Sequence, residues 1–257
     1  MTDDIDETVD WQGNEIDCRT CMHEPLLALG RCRLKHACVN DRYARRIDRF
    51  FNWNPHLGDH YVTHPHFEVR AIAAKHANVF LLPPLLEDPE ETVRWNAARR
   101  LPKRYALKLR NDPHREVRIR IISLLDDSEL IPMMGDPDYY VRLVVARRIA
   151  PALLSRMIHD EEAEVRRVVA GRVQQGWLLQ MADDCDPAVR LEVAQRLTPL
   201  LLARLRHDSD WRIRYEVASR CSITVVTELA DDPDCLVREI AKSRLLKAQN
   251  RRRGMPV

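Results

Sequence analysis

A period of 24 residues constrains this chain more than any other feature. From about residue 64 the sequence repeats in strict register through Val69, Val93, Val117, Val141, Val165, Val189, Ile213 and Val237. An arginine follows each of them: Arg70, Arg94, Arg118, Arg142, Arg166, Arg190, Arg214 and Arg238. Six residues before the arginine stands Asp88, Asp112, Asp136, Asp160, Asp184, Asp208 or Asp232, with His64 in the first unit. Pro65, Pro89, Pro113, Pro137 and Pro233 come next in five units. A segment this short cannot bury its own apolar stripe, so neighbouring units must stack. The 257 residues therefore read as about eight stacked units behind a separate N-terminal segment. Only 7 glycines, 6% aromatics and 31% charged residues suit helices and argue against a β-sandwich or barrel.

Each phase of the period has a physical reading. Asp is a favourable N-cap and Pro is tolerated in the first helical turn. A helix is thus predicted to start at each Asp-Pro. Its apolar stripe runs at i, i+4, i+8, as in Val93, Ala97, Leu101 or Val141, Val145, Ile149. The following phase is small (Ala74, Ala98, Ala146, Ala170, Ala194, Ala218), so the next helix can approach closely; Ile122 and Lys242 depart from it. The second half of the unit keeps Leu85, Leu109, Met133, Met157, Met181, Leu205 and Leu229 in phase. Leu82, Leu130, Leu154, Leu178, Leu202 and Val226 precede them by three residues, the spacing of a short 3₁₀ segment. The expected fold class is an all-α α-solenoid, each unit one helix of about twelve residues plus one short helical segment. Regular pairing of Asp and Arg predicts buried or half-buried bridges that lock adjacent turns together.

The N-terminus is different. Residues 1–17 hold Asp3, Asp4, Asp6, Glu7, Asp10, Glu15 and Asp17 and no base, and read as an acidic flexible tail. Residues 18–63 form a second segment with Cys18, Cys21, Cys32 and Cys38, spaced Cys-x2-Cys-x10-Cys-x5-Cys. Cysteines at x2 can share one metal centre, and the downstream pair completes a four-thiolate set. Zinc and [4Fe–4S] both accept four thiolates. Arg19, Arg31, Arg33 and Lys35 would offset the negative charge of either one. Spacing leaves the two open. Tyr43, Ile47, Phe50 and Phe51 mark a short helix over 41–53. The repeat covers 64–246, and 247–257 form a basic C-terminal tail with Arg251, Arg252 and Arg253.

Other residues receive blander readings. Cys221 occupies an aliphatic stripe phase, and Cys185 and Cys235 fall in a turn and a first helical turn, so all three read as structural. His56, His60, His64 and His66 crowd together, but Pro55, Gly58 and Pro65 break the helix a shared metal would need. A second basic set (Arg99, Arg100, Arg147, Arg148, Arg166, Arg167, Arg172, Arg196, Arg220, Arg244) could line one surface and track a nucleic-acid backbone, or merely solvate helix ends. Trp53, Trp95, Trp177 and Trp211 share no single phase, which argues against a base-stacking platform. No phosphate loop, nucleophile elbow or His-Glu-x-x-His occurs, so no catalytic residue is expected. No stretch is apolar enough for a membrane span and the acidic N-terminus is unlike a secretory signal; a cytoplasmic protein is expected.

The Asp-Pro-x-x-x-Val-Arg pattern followed by small residues resembles the turn of HEAT repeats, although HEAT units are longer. A 24-residue unit behind a four-cysteine segment resembles the leucine-rich repeat variant (LRV) family, over about residues 18–246. That resemblance implies alternating α and 3₁₀ helices in a right-handed superhelix. It also implies Cys18, Cys21, Cys32 and Cys38 as ligands of an N-terminal [4Fe–4S] cluster. The functional expectation is an iron–sulfur helical-repeat protein that binds a macromolecular partner, most readily a protein, with the cluster in electron transfer or redox sensing. A nucleic-acid-binding solenoid and a zinc-capped structural scaffold are the alternatives.

Overall fold

The computed structural model describes residues 7–252. Asp3, Asp4 and Asp6 of the acidic stretch, Arg253 and the side chain of Arg252 lie outside the described residues. Two compact units divide the chain, one up to Glu129 and one from Leu130 onward. Among the described residues there are helices and only isolated bridges, Val9 to Glu15 and Arg33 to Ala37. None of these helices is long and apolar enough to cross a membrane.

The period is visible in the helix starts. Helices begin at Phe67, Glu91, Arg115, Tyr139, Ala163, Pro187, Trp211 and Cys235, each 24 residues after the last. They begin two residues later than the periodic Asp as N-cap would place them. The periodic aspartate instead closes a turn ahead of the helix, accepting the backbone N–H two residues on, as Asp88 does from Glu90 at 2.9 Å and Asp112 from His114 at 2.8 Å. Proline sits inside that turn, where no N–H is needed. A second residue then caps the helix proper: the carboxylates of Asp138, Asp186 and Asp210 each accept an N–H from the first turn. With the turn removed, most of these helices are seven to ten residues long rather than about twelve. The segments after them are short and largely 3₁₀, as the spacing of three implied.

In the first unit, helices Ala44–Trp53, Phe67–Ala73, Glu91–Ala98 and Arg115–Ile121 pack in sequence order. Ala74 and Ala98 are fully buried between them. The core at the N-terminal end joins Cys32, Val39, Ile47, Phe50, Phe51 and Tyr61 to Val69, Ile72 and Ala73. The cysteine-bearing segment and the first repeat helix thus share one apolar core. The Asp–Arg bridges are also present, but their partners differ from the nearest pairing in sequence. Arg70 forks onto Asp88 of the following unit at 2.7 and 2.9 Å, and Arg94 onto Asp112 at 2.7 and 2.6 Å. The third guanidinium nitrogen, Nη1, donates to the carbonyls six and five residues earlier, His64 and Pro65 for Arg70, Asp88 and Pro89 for Arg94. One arginine thereby ties its own turn to the next.

The second unit repeats the scheme. Helices Tyr139–Arg148, Ala163–Arg172, Pro187–Arg196, Trp211–Arg220 and Cys235–Arg252 pack successively, over buried Ala146, Ala170, Ala194 and Ala218. Arg142, Arg166, Arg190 and Arg214 fork onto Asp160, Asp184, Asp208 and Asp232, all within 2.9 Å. The second basic set has a structural task too. Arg196 donates to the carbonyls of Ala170 at 2.5 Å and Val173 at 2.7 Å, and Arg220 to those of Ala194 and Leu197. Arg172 and Arg244 reach Ala146 and Ala218 in the same way, as Arg100 reaches Ala74 in the first unit. Each cation caps the open carbonyls at the end of the preceding helix. Arg100, Arg172, Arg196, Arg220 and Arg244 are thereby held against the helix before them.

Candidate metal centre

The four N-terminal cysteines sit on two tight turns in the first unit. Cys18 and Cys21 flank a turn that Asp17 holds, its Oδ1 accepting the backbone N–H of Arg19 and its carbonyl the Thr20 hydroxyl. A one-turn helix, Glu24–Ala28, follows and is ended by Gly30, whose φ of 68° is left-handed. Cys32 and Cys38 flank a small hairpin, in which Arg33 and Ala37 exchange backbone hydrogen bonds and Lys35 adopts a φ of 61°. Arg49 pins that hairpin from the helix Ala44–Trp53, donating to the carbonyl and Nδ1 of His36. Buried Asn54 holds the stem, its amide donating to the carbonyl of Arg31 at 2.8 Å.

The fold brings the thiols together. Cys32 and Cys38 are buried and hydrogen-bond each other, while Cys18 and Cys21 are half-buried. Each of the four lies within electrostatic reach of at least two others. Burial pushes the Cys18 thiol up, with Cys38 and Cys21 adding to the effect. Within the buried pair, the mutual hydrogen bond pulls Cys32 down and pushes Cys38 up. Among the described residues no group of three or more His, Cys, Asp or Glu side chains closes around a single ion position. Four thiolates on one zinc would stand about 3.8 Å apart, given 2.3 Å bonds and a tetrahedron.

Backbone and amide N–H groups are aimed at the sulfurs. His23 N–H reaches Cys21 Sγ at 3.5 Å and the Asn40 side-chain amide reaches it at 3.4 Å. Backbone N–H groups of Arg33 and Asn40 donate to Cys32 and Cys38. A set of four thiols with N–H donors fits a thiolate-ligated cluster, because such donors spread the negative charge on sulfur. Behind them stands an aromatic wall. His23 and Tyr61 share a buried hydrogen bond and pack with Phe50 and Phe51. Burial, followed by the nearby thiols, pushes Tyr61 up to about 12. Burial and then His60 hold His23 below the usual histidine range.

The remaining sequence candidates fall elsewhere. His64 and His66 pack against Trp11, and the His64 ring accepts the His66 N–H, so they serve the turn before the helix Phe67–Ala73. Cys221 is buried in the second unit, its thiol 3.3 Å from the Pro199 carbonyl, and Cys185 and Cys235 are exposed. Sequence reasoning passed over Asn40, His23, Asn54 and Tyr61. A signal existed for two of them. His23 and Asn40 each stand two residues after a cysteine, the position from which a backbone N–H turns back onto sulfur.

Fold and site together define an α-solenoid of short helical repeats whose first unit carries an N-terminal four-cysteine segment. Residues 8–60 match the family model described as the LRV protein FeS4 cluster. A solved structure described as a leucine-rich repeat variant with a novel repetitive protein structural motif is 42% identical, with a TM-score of 0.84 over 90% of this chain and 99% of that one. A Rhodobacter capsulatus protein, described as an uncharacterized 27.7 kDa protein in the nifB 3′ region, is 48% identical over 100 residues. That match spans 39% of this chain and only 41% of the relative. The chain belongs to the leucine-rich repeat variant family.

Proposed function

We propose that Cys18, Cys21, Cys32 and Cys38 hold a [4Fe–4S] cluster, and that the protein works in the cytoplasm in electron transfer or redox sensing while its solenoid engages a protein partner. The observation that carries the reading is the gathering of four thiols, with N–H donors on three of them, inside the stretch that matches the iron–sulfur family model. Bound there, the cluster would supply a one-electron couple. With all four thiolates used as ligands, no iron position is left open for a substrate, which favours electron exchange or sensing over catalysis. The match of residues 8–60 to the iron–sulfur family model is what favours a cluster over one zinc.

The chain's own residues explain how such a site could report to the solenoid. Cys32 belongs to the same core as Phe50, Phe51, Val69 and Ile72. Anything that orders the cysteine turns therefore orders the helix Phe67–Ala73, and release of the turns loosens it. The Rhodobacter relative is described by its neighbourhood and size, so its description names no activity to transfer.

The test is anaerobic purification with an absorption spectrum and iron, sulfide and zinc stoichiometry. Broad absorption near ~400 nm with about four irons and four sulfides per chain is expected, and each single Cys→Ser change at the four positions should diminish it. One zinc per chain and no sulfide would refute the proposal. Hydrogen exchange of Phe67–Ala73 before and after cluster removal then separates the roles: faster exchange with loss of partner binding indicates sensing, and unchanged exchange with a reversible couple indicates electron transfer.

A further inference from the structure

We propose that Asn40 sets the reduction potential of this centre, as a positioning residue that clamps the two halves of the cysteine set; the proposal rests on the cluster reading above. Asn40 reaches both halves at once. Its side-chain amide lies 3.4 Å from Cys21 Sγ on the first turn, and its backbone N–H donates to Cys38 on the hairpin. Sulfur can only accept from this amide, so the NH₂ group must be the end that faces Cys21.

The surroundings give that contact weight. Cys38 is buried, but Cys21 is half-buried and lines a surface cleft of about 410 Å³ together with Asp10, Trp11, Thr20, Met22 and Asn40 itself. The thiolate under the Asn40 amide is thus one of the two, with Cys18, that border solvent. A hydrogen bond to a ligating sulfur stabilises the state with one more negative charge, so it raises the potential. Removing the donor makes the added electron less welcome and lowers the potential. At Cys21 the amide also occupies space in the cleft that water or a chelator would otherwise enter.

Four variants of the full-length, anaerobically purified protein test this. Asn40→Leu keeps the volume and removes the donor; Asn40→Asp keeps the shape and exchanges the donor for an acceptor. Asn40→Gln retains an amide, and Asn52→Leu removes an amide from the helix Ala44–Trp53, where it bonds Asp48 rather than a cysteine. The readouts are a potentiometric titration of the visible absorption and the rate of iron loss to a chelator. Asn40→Leu and Asn40→Asp are expected to shift the midpoint to more negative values, while Asn40→Gln and Asn52→Leu stay near wild type. Iron loss should be fastest in Asn40→Asp. Should Asn40→Leu and Asn40→Asp fail to hold iron while Asn40→Gln holds it, the amide donor is again what the site requires. Wild-type potentials in Asn40→Leu and Asn40→Asp, an equal shift in Asn52→Leu, or loss of iron from Asn40→Gln along with the other two would overturn the proposal. Absence of iron and sulfide from the wild-type protein would instead refute the cluster reading itself.

Discussion

Asp112→Ala tests the arginine ladder most directly. The Asp112 carboxylate is 5% exposed and accepts three N–H groups: Arg94 Nε at 2.7 Å, Arg94 Nη2 at 2.6 Å and the His114 backbone at 2.8 Å. Truncation leaves the Arg94 guanidinium, itself 7% exposed, with only the Asp88 and Pro89 carbonyls at Nη1. Removing one partner of a buried ion pair strands the other charge and costs about 3–5 kcal/mol. At about 2–4 °C per kcal/mol for a chain of this size, the melting midpoint should fall by about 6–20 °C. The exposed pair Arg206–Glu228 provides the reference, since Glu228→Ala should cost about 1 kcal/mol or less. Thermal melts followed by circular dichroism measure both, and hydrogen exchange locates the loss, which should begin in Glu91–Ala98 and Arg115–Ile121. Arg94→Met combined with Asp112→Ala should recover part of the loss, because no charge is then stranded. A cost under about 1 kcal/mol for Asp112→Ala, equal to that of Glu228→Ala, would refute the argument that the ladder is a buried structural lock.

Three further outcomes follow from the same geometry. The Arg214 guanidinium holds the Asp232 carboxyl below the usual aspartate range against the opposing effect of burial. At Asp88 and Asp184 burial pushes upward but is outweighed by Arg70 and Arg166. Carboxyls depressed in the folded state contribute stability above the ordinary aspartate value, near pH ~4, and lose it as pH falls through the depressed values. Melting midpoints should therefore drop progressively below pH ~4, and Asp232→Asn should start lower and fall less steeply over that range. Gly58→Ala should destabilise by about 1–3 kcal/mol, because a Cβ there would lie 2.8 Å from the Ala77 nitrogen and backbone cannot yield as a side chain can; a melt that rises instead would mean the segment Pro55–Tyr61 shifts freely. Arg196→Met should cost about 1.5–3 kcal/mol and speed exchange at the end of Ala163–Arg172, since two helix carbonyls lose a charged donor; unchanged exchange there would remove the capping role.

The repeat was legible because every position in it answers to a rule of one helix or one turn. Val141, Val145 and Ala146 are buried as their spacing required, and the small phase lies where helices meet. What the sequence concealed lies between units or in the backbone. The Asp nearest each Arg in sequence is not the carboxylate it grips: Arg94 lies six residues after Asp88 but forks onto Asp112, because the guanidinium reaches across to the next turn. Arg100, Arg196 and Arg220 bond carbonyl oxygens, which no side-chain pattern records. Phase identity was also too strict a test for a shared face. Trp95 and Trp211 stand four positions apart within the period, and residues four apart share a helix face. Trp95 lies under Arg120 at 6.0 Å, and Trp211 is 40% exposed.

The cysteine segment shows the same limit in sharper form. Spacing proposed the four cysteines, yet it carried no information about Asn40, Asn54 or Arg49, whose types are ordinary and whose partners are a sulfur and three backbone carbonyls or a ring nitrogen. These contacts make the segment part of the solenoid's first core rather than an appendage. Asn54 ends the helix Ala44–Trp53 and at the same time fixes Arg31, the residue before Cys32. Phe50 and Phe51 of that helix pack on Tyr61, and the same core takes in Val69 and Ile72 of the first repeat helix. A change in order at the cysteine turns therefore has a short packed route to the helix Phe67–Ala73. A solenoid passes stability from neighbour to neighbour, so its first helix is the place where a change at the cysteines would have the largest effect on the stack.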